Sequence, residues 1–398
     1  MELVSTWTAA VAAGLGGSSA FVVLKFARAA KERNGDLLPN YAFLLVLHAF
    51  NVLAFATFLR SALVGGWRVD QLYEGVGAGH FYSDMTVYEF YVFLYGTLVL
   101  ATAGFLLAST TLRRLFSKAG GGGGGGAGDN AAGKLALKGV SRATSVERRD
   151  LQRKFTHLLG YALLWVGVLT ARAYFLINFP ELRADQPARI WGYDAGDPGF
   201  NLRSLALFSE PSALLDLGIG QTFSILLFHM CLFVVVVLEA GRLSERLHLP
   251  GQELLLPLLR EKEVDSLASY LHFFECIAAA SFLLPPAPLL AVMGVCGVGD
   301  ALASQFGMRW GRRRVGINSK KTWLGTAAGT AGSFSVALLT VGPAWAAAAA
   351  GAFFLTDVLT ERPVNLSDNL LTGTLISLAF VALSLAGVHY TPPAFVGG

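Results

Sequence analysis

Acidic and basic side chains gather in five short stretches of this chain, each beside an apolar run. Arg153, Lys154 and His157 form the first, and Arg260, Glu261, Lys262, Glu263 and Asp265 the second. Asp300 opens the third, followed by Arg309, Arg312, Arg313, Arg314, Lys320, Lys321 and Thr322. Asp357 and Glu361 make the fourth, and Asp368 with Asn369 the fifth. Such a set suits a nucleoside triphosphate. Basic groups neutralise phosphate oxygens, while one or two carboxylates suffice for a Mg²⁺ that keeps phosphate and water as its other ligands. Phosphoryl transfer is mostly positioning and charge stabilisation, so these residue types are adequate for it.

Not every member has equal weight. A carboxylate in or beside an apolar span is costly and marks function, which singles out Asp300 and Asp357. A lone histidine such as His157 is more often a packed or interfacial residue. Arg312 to Arg314 also fit an orientation signal or a contact with anionic lipid. The small residues from Gly325 through Thr326 to Gly329 suit close helix packing, with a phosphate at the helix start as the alternative.

The elements that position these residues are membrane spans. Of the 398 residues, 54% are hydrophobic and only 15% charged, and mean hydropathy is +0.53. Soluble domains hold about 25% charged residues. Apolar runs near 20 residues match a hydrocarbon layer of about 30 Å. The sequence predicts an all-α polytopic transmembrane helix bundle of about ten spans. They cover 4–27, 40–64, 86–111, 156–178, 218–240, 266–285, 287–306, 323–341, 343–358 and 369–390. The first run has no basic segment ahead of it and basic residues behind it, so it is expected to be retained rather than cleaved. Cys231, Cys276 and Cys296 lie inside apolar runs and are expected to pack as small hydrophobes.

Loop charges alternate as the positive-inside rule requires wherever their bias is strong, the loop with Arg242, Arg246, Arg260 and Lys262 being mixed. Lys25, Arg28, Lys31 and Arg33 put the first loop in the cytosol. From Arg113 to Lys154 there are ten basic and three acidic residues, and from Gly307 to Lys321 six basic and none acidic. The acid-rich loop with Glu181, Asp185, Asp194 and Asp197 falls on the other side. Both termini are then non-cytosolic, and the five polar stretches share the cytosolic face. The run Gly120 to Gly126 reads as a flexible linker, lacking the Gly-Lys-Ser/Thr of a phosphate loop. It divides a three-span unit (1–111) and a basic glycine-rich linker (112–147) from a domain with polar residues in its spans (148–398).

Gly299-Asp300-Ala301-Leu302-Ala303-Ser304-Gln305-Phe306-Gly307, then Gly311, then Lys320-Lys321-Thr322-Trp323-Leu324-Gly325-Thr326, resembles the nucleotide-binding signature of the CTP-dependent polyprenol kinases. That family includes dolichol kinase, phytol kinase and the CTP-dependent diacylglycerol kinase. Arg153-Lys154-Phe155-Thr156-His157 resembles its opening, and Asp357, Glu361 and Asp368-Asn369-Leu370 its close, so the likeness spans about 148–390. Leu324 stands where the family commonly has a glutamate, with Glu361 as a replacement carboxylate.

The resemblance implies transfer of phosphate from CTP to a long-chain polyisoprenoid alcohol. Within the family it leans to dolichol and an endoplasmic reticulum membrane. It implies nucleotide contacts from Gly299, Ser304, Gly307, Arg312, Arg313, Arg314, Lys320, Lys321, Thr322, Gly325 and Thr326. Mg²⁺ would fall to Asp300 with Asp357 or Glu361, and the alcohol proton to Asp368 or His157. Arg153, Lys154 and Asn369 complete the set. Phytol or diacylglycerol is an alternative acceptor, and an organic-phosphate transporter the non-enzymatic alternative. Nucleic acid is disfavoured as a partner, because the basic loops lack interleaved aromatics.

Overall fold

The computed structural model describes residues 2–32, 35, 37–66, 85–119, 158, 161, 162, 165, 203–244, 259, 263, 266–360 and 366–391. Three helices come first: α1 (Glu2–Lys31), α2 (Leu38–Gly65) and α3 (Val87–Ala119). Thr86 and Glu89 start α3 with a reciprocal cap. The Glu89 N–H donates to Thr86 Oγ1 at 3.2 Å, and the Thr86 N–H returns to Glu89 Oε2 at 2.8 Å. A short helical turn (Arg203–Ala206) and a 3₁₀ turn (Pro211–Leu217) lead into α4 (Gly218–Leu243).

The later part holds α5 (Ser269–Leu283), α6 (Pro286–Gly294), α7 (Asp300–Trp310), α8 (Trp323–Val341), α9 (Pro343–Leu359) and α10 (Asp368–Leu385). A π-helical turn, Val295–Gly299, joins α6 to α7, so Pro286–Trp310 runs on as one apolar helix. Between α7 and α8 lies an antiparallel hairpin, β1 (Arg314–Val315) and β2 (Asn318–Thr322).

The helical membrane bundle is therefore present, and the hairpin is a small departure from all-α. The count of ten spans is not reached among the described residues. Seven helices are long and apolar enough to cross a membrane. The expected spans 266–285 and 343–358 are shorter helices, of 15 and 17 residues. Proline sets these limits. Leu284, ahead of Pro285, turns extended and ends α5, and Pro343 starts α9. At about 1.5 Å per residue α5 reaches only some 22 Å, and other helices rather than lipid surround most of it. The expected span 156–178 lies outside the described residues except for Leu158, Tyr161, Ala162 and Trp165, all helical.

Two apolar cores hold the bundle together. One gathers α5, α6, α8, α9 and α10 around Trp345, Phe353 and Phe380, and takes in Val22 of α1 and Leu44 of α2. The other packs Phe55, Phe58, Tyr91 and Tyr95 of α2 and α3 against α4 and Phe282 of α5. The first two helices thus share both cores with the later chain, and α3 joins the second. Polar groups reinforce the junction. Glu275, fully buried on α5, takes His48 Nδ1 at 2.7 Å on Oε1 and accepts from Asn51 Nδ2 at 2.7 Å on Oε2. Arg242, at the end of α4, donates to both Glu239 oxygens and to the carbonyls of Glu263 and Ser266. Cys276 and Cys296 are buried, as expected of core thiols, and Cys231 is half-buried.

Candidate functional site

The order of the chain forces the main polar residues to one end of the bundle. Asp300 is the first residue of α7, directly after the π turn. Such turns recur at functional sites because they shift the register of the side chains that follow. Lys321 sits at the end of β2, Asp357 in the last turn of α9, and Asp368 on the first residue of α10. All four line one small cleft, together with Asn369, Thr372 and the apolar Cys296 and Phe353.

Asp357 organises the cleft. It is 4% exposed, and each carboxylate oxygen has a donor: Lys321 Nζ at 2.5 Å on Oδ1 and Thr326 Oγ1 at 2.6 Å on Oδ2. A buried carboxylate needs such partners, since removing it from water costs several kcal/mol if it is left alone. The consequence is that Lys321 is aimed. Its ammonium is held on α9 instead of sweeping through solvent, and Thr326 ties α8 to the same carboxylate.

The hairpin that delivers Lys321 is itself anchored. Asn318, buried in β2, donates from Nδ2 to the carbonyls of Asp357 and Thr360, while its Oδ1 accepts from the Lys320 N–H at 3.2 Å. Thr322 then caps α8, its Oγ1 accepting from the Gly325 N–H at 3.2 Å. On the opposite wall the Asp368 carboxylate accepts from the Asn369 N–H at 3.0 Å, and Asn369 reaches the Ser269 carbonyl. Thr372 bonds Thr356 at 3.0 Å.

The glycines of the signature have a packing role. A Cβ on Gly325 would sit 2.5 Å from the Ala303 carbonyl oxygen, and one on Gly299 2.2 Å from Ser333 Oγ. A Cβ on Gly307 or Gly311 would crowd Thr322 Oγ1, at 3.0 and 2.3 Å. These four residues let α7 and α8 lie backbone to backbone, which sets the distance from Asp300 to the hairpin. Ser304 is one turn past Asp300, half-buried.

Other expected residues fall elsewhere. Lys320 and Arg312, Arg313 and Arg314 are exposed and do not line the cleft. Arg314 Nη1 instead bonds the Lys320 carbonyl at 3.3 Å. Strand geometry separates the adjacent lysines: Lys321 turns inward and Lys320 outward. Leu324, at the position of the family's glutamate, is exposed at 44%, and the carboxylate that orients the lysine is Asp357. Arg153, Lys154, His157 and Glu361 lie outside the described residues.

The sequence reading passed over Thr372, whose signal was its place one turn beyond Asp368, and Asn318, which looks like an ordinary turn residue. It also passed over the mid-span cluster of His48, Asn51 and Glu275, although an acid within an apolar run is itself a signal.

Among the described residues no three His, Cys, Asp or Glu side chains come close enough to cage an ion. Mg²⁺ beside a triphosphate needs only one or two protein carboxylates; of those expected to hold it, Asp300 lines the cleft and Asp357 has both oxygens engaged by Lys321 and Thr326.

No protein-family model matches the chain, and no curated protein or solved structure is significantly similar to it.

Proposed function

We propose that this chain is a CTP-dependent lipid kinase of the polyprenol kinase type, in a bundle of about ten spans. It transfers the γ-phosphate to the hydroxyl of a long-chain polyisoprenoid alcohol, with dolichol the first candidate, and releases CDP. One observation supports this above the others. Asp300, Lys321, Asp357, Asp368 and Asn369, drawn from four separate segments that each resemble a piece of the family signature, line a single cleft.

In this reading Lys321, steadied by Asp357, neutralises phosphate oxygens where charge builds up during transfer. Asp300 holds the divalent cation, which when bound spreads the negative charge of the phosphates. Asp357 serves as the positioning group, since both its oxygens are already taken by Lys321 and Thr326. Asp368 accepts the proton of the alcohol as its oxygen bonds the γ-phosphorus and the bridging bond to CDP breaks. The alcohol enters from the bilayer, and the loop charges support a cleft on the cytosolic face, as an endoplasmic reticulum enzyme drawing on cytosolic CTP would require.

The test is transfer of labelled γ-phosphate from CTP, with ATP in parallel, to dolichol, phytol and diacylglycerol by the purified full chain. Labelled dolichyl phosphate from CTP, abolished by Asp300→Asn, is the expected result. Product with phytol or diacylglycerol alone would keep the reaction and change the acceptor. No product with any lipid would sink the kinase reading.

A further inference from the structure

Apart from Lys321, the basic side chains of the hairpin do not line the cleft, and its composition is unusual for a solvent loop. Val315 pairs with Asn318, so Gly316 and Ile317 form a two-residue tip. Tips of this kind favour Gly, Asn and Asp, yet Ile317 stands there 60% exposed. At the hairpin's base Trp310 is 56% exposed and Trp323 43%. Arg312, Arg313, Arg314 and Lys320 surround them, all exposed, and residues 307–321 contain no acid at all.

Position matters as much as composition. The hairpin fills only residues 311–322, between two helices long and apolar enough to cross a membrane, Pro286–Trp310 and Trp323–Val341. It therefore starts and ends at the hydrocarbon boundary. Three strand residues extend about 10 Å, so the tip can lie back onto the headgroup layer. Tryptophan prefers that layer, and each Lys or Arg near an anionic surface gains about 1 kcal/mol.

We infer that the hairpin is an interfacial anchor: Ile317, Trp310 and Trp323 dip into the membrane edge while Arg312, Arg313 and Arg314 bind anionic phospholipid headgroups. The anchor would set the resting place of β2, and so of Lys321 at its inner end. The inference does not depend on the kinase reading, because its readout is the depth of the tip and not turnover.

The same arginines could instead meet the phosphates of a nucleotide, and one experiment separates the two sources. The full chain carrying Ile317→Cys is labelled at the tip with an environment-sensitive fluorophore. It is placed in nanodiscs of phosphatidylcholine, with or without phosphatidylserine, whose acyl chains are brominated. The expected result is strong quenching with phosphatidylserine. Changing Arg312, Arg313 and Arg314 to Gln should weaken it by about tenfold or more, as should high salt, while CTP leaves it unchanged. A probe that stays unquenched in both membranes overturns the anchor. So does quenching that CTP removes, which would give the arginines to the nucleotide. All the altered positions are exposed, and thermal unfolding of each variant verifies that the bundle is intact.

Discussion

The molecule has two polar clusters inside an apolar bundle, and they are built on opposite plans. The cleft draws Asp300 from just past the π turn within one long helix, Asp357 and Asp368 from helix ends, and Lys321 from a strand. The mid-span cluster sets His48, Asn51 and Glu275 in the middles of α2 and α5. In the cleft three carboxylates, Asp300, Asp357 and Asp368, outnumber the one lysine. In the mid-span cluster both oxygens of one acid are taken up by neighbouring helices. Burial alone therefore does not mark a site: Glu275 is more deeply buried than Asp357. Space does not mark one either, since a comparable pocket lies beside His48 and Asn51; what differs is that three carboxylates meet one lysine in the cleft, whereas a single carboxylate meets a histidine and an amide at mid-span.

The comparison predicts that changes in the cleft cost activity and changes at mid-span cost stability. The largest effect is expected for Asp300→Asn and Lys321→Met. Each should lower phosphate transfer by about 10²–10³-fold, the usual loss when a group that stabilises transition-state charge is removed. The midpoint of Asp300→Asn should move little, since the packing around Asp300 rests on glycines, whereas Lys321→Met also takes a partner from the buried Asp357 and should lower its midpoint, so its transfer is read per folded molecule. Transfer assays and thermal unfolding on the same preparations decide this. A variant that loses fold and activity together would erase the distinction.

Glu275→Leu is the mirror case. It removes the acceptor of His48 Nδ1 and Asn51 Nδ2 at once and leaves buried donors unpaired. The expected cost is about 2–4 kcal/mol, read as a lower unfolding midpoint in detergent. Turnover per folded molecule should stay near the wild-type value. A full loss of transfer in well-folded protein would show that α5, which also meets Asn369 through the Ser269 carbonyl, couples the two clusters.

These two predictions also show what the sequence could reveal. Asp300, Asp357, Asp368 and Lys321 stand out because a charge beside an apolar run is expensive, and chain order then brings them to one end. Lys320 and Lys321 look alike in the sequence. Only the strand, tied down by Asn318, turns one inward. The polar run Asn318 to Thr322 has no alternation from which a strand could be read, so the hairpin was not expected. Thr372, Phe353 and Cys296 resemble ordinary span residues, and their role as cleft lining comes from the crossing of α9, α10 and the π turn. Glu275 was legible, but attention to the ends of spans passed over an acid in the middle of one.

Gly325→Ala tests whether the cleft's spacing comes from backbone contact. The added carbon would meet the Ala303 carbonyl at 2.5 Å, and a backbone atom cannot swing aside. A loss of about 1–3 kcal/mol is expected, with a fall in transfer as α7 moves from α8. Gly316→Ala is the control, because nothing lies within 4 Å of the added carbon there. Equal effects at the two positions would deny that Gly325 spaces the helices.

The smallest expected effect is at Thr322, where a resemblance-based role and a structural one compete. Its hydroxyl caps α8 through the Gly325 N–H, and its side chain is what a Cβ on Gly307 or Gly311 would strike. Thr322→Ala removes the cap at a cost of about 1 kcal/mol, while Thr322→Ser keeps the hydroxyl and should restore most of it. If the residue acts only as a cap, the alanine variant binds CTP with nearly unchanged affinity, and its activity follows its folded fraction. If the hydroxyl also contacts phosphate, the apparent affinity for CTP falls in the alanine variant and returns in the serine variant at equal stability. The first outcome is expected. Thr322 is buried at the junction of strand and helix, on the structural side of Lys321, and only the lysine lines the cleft.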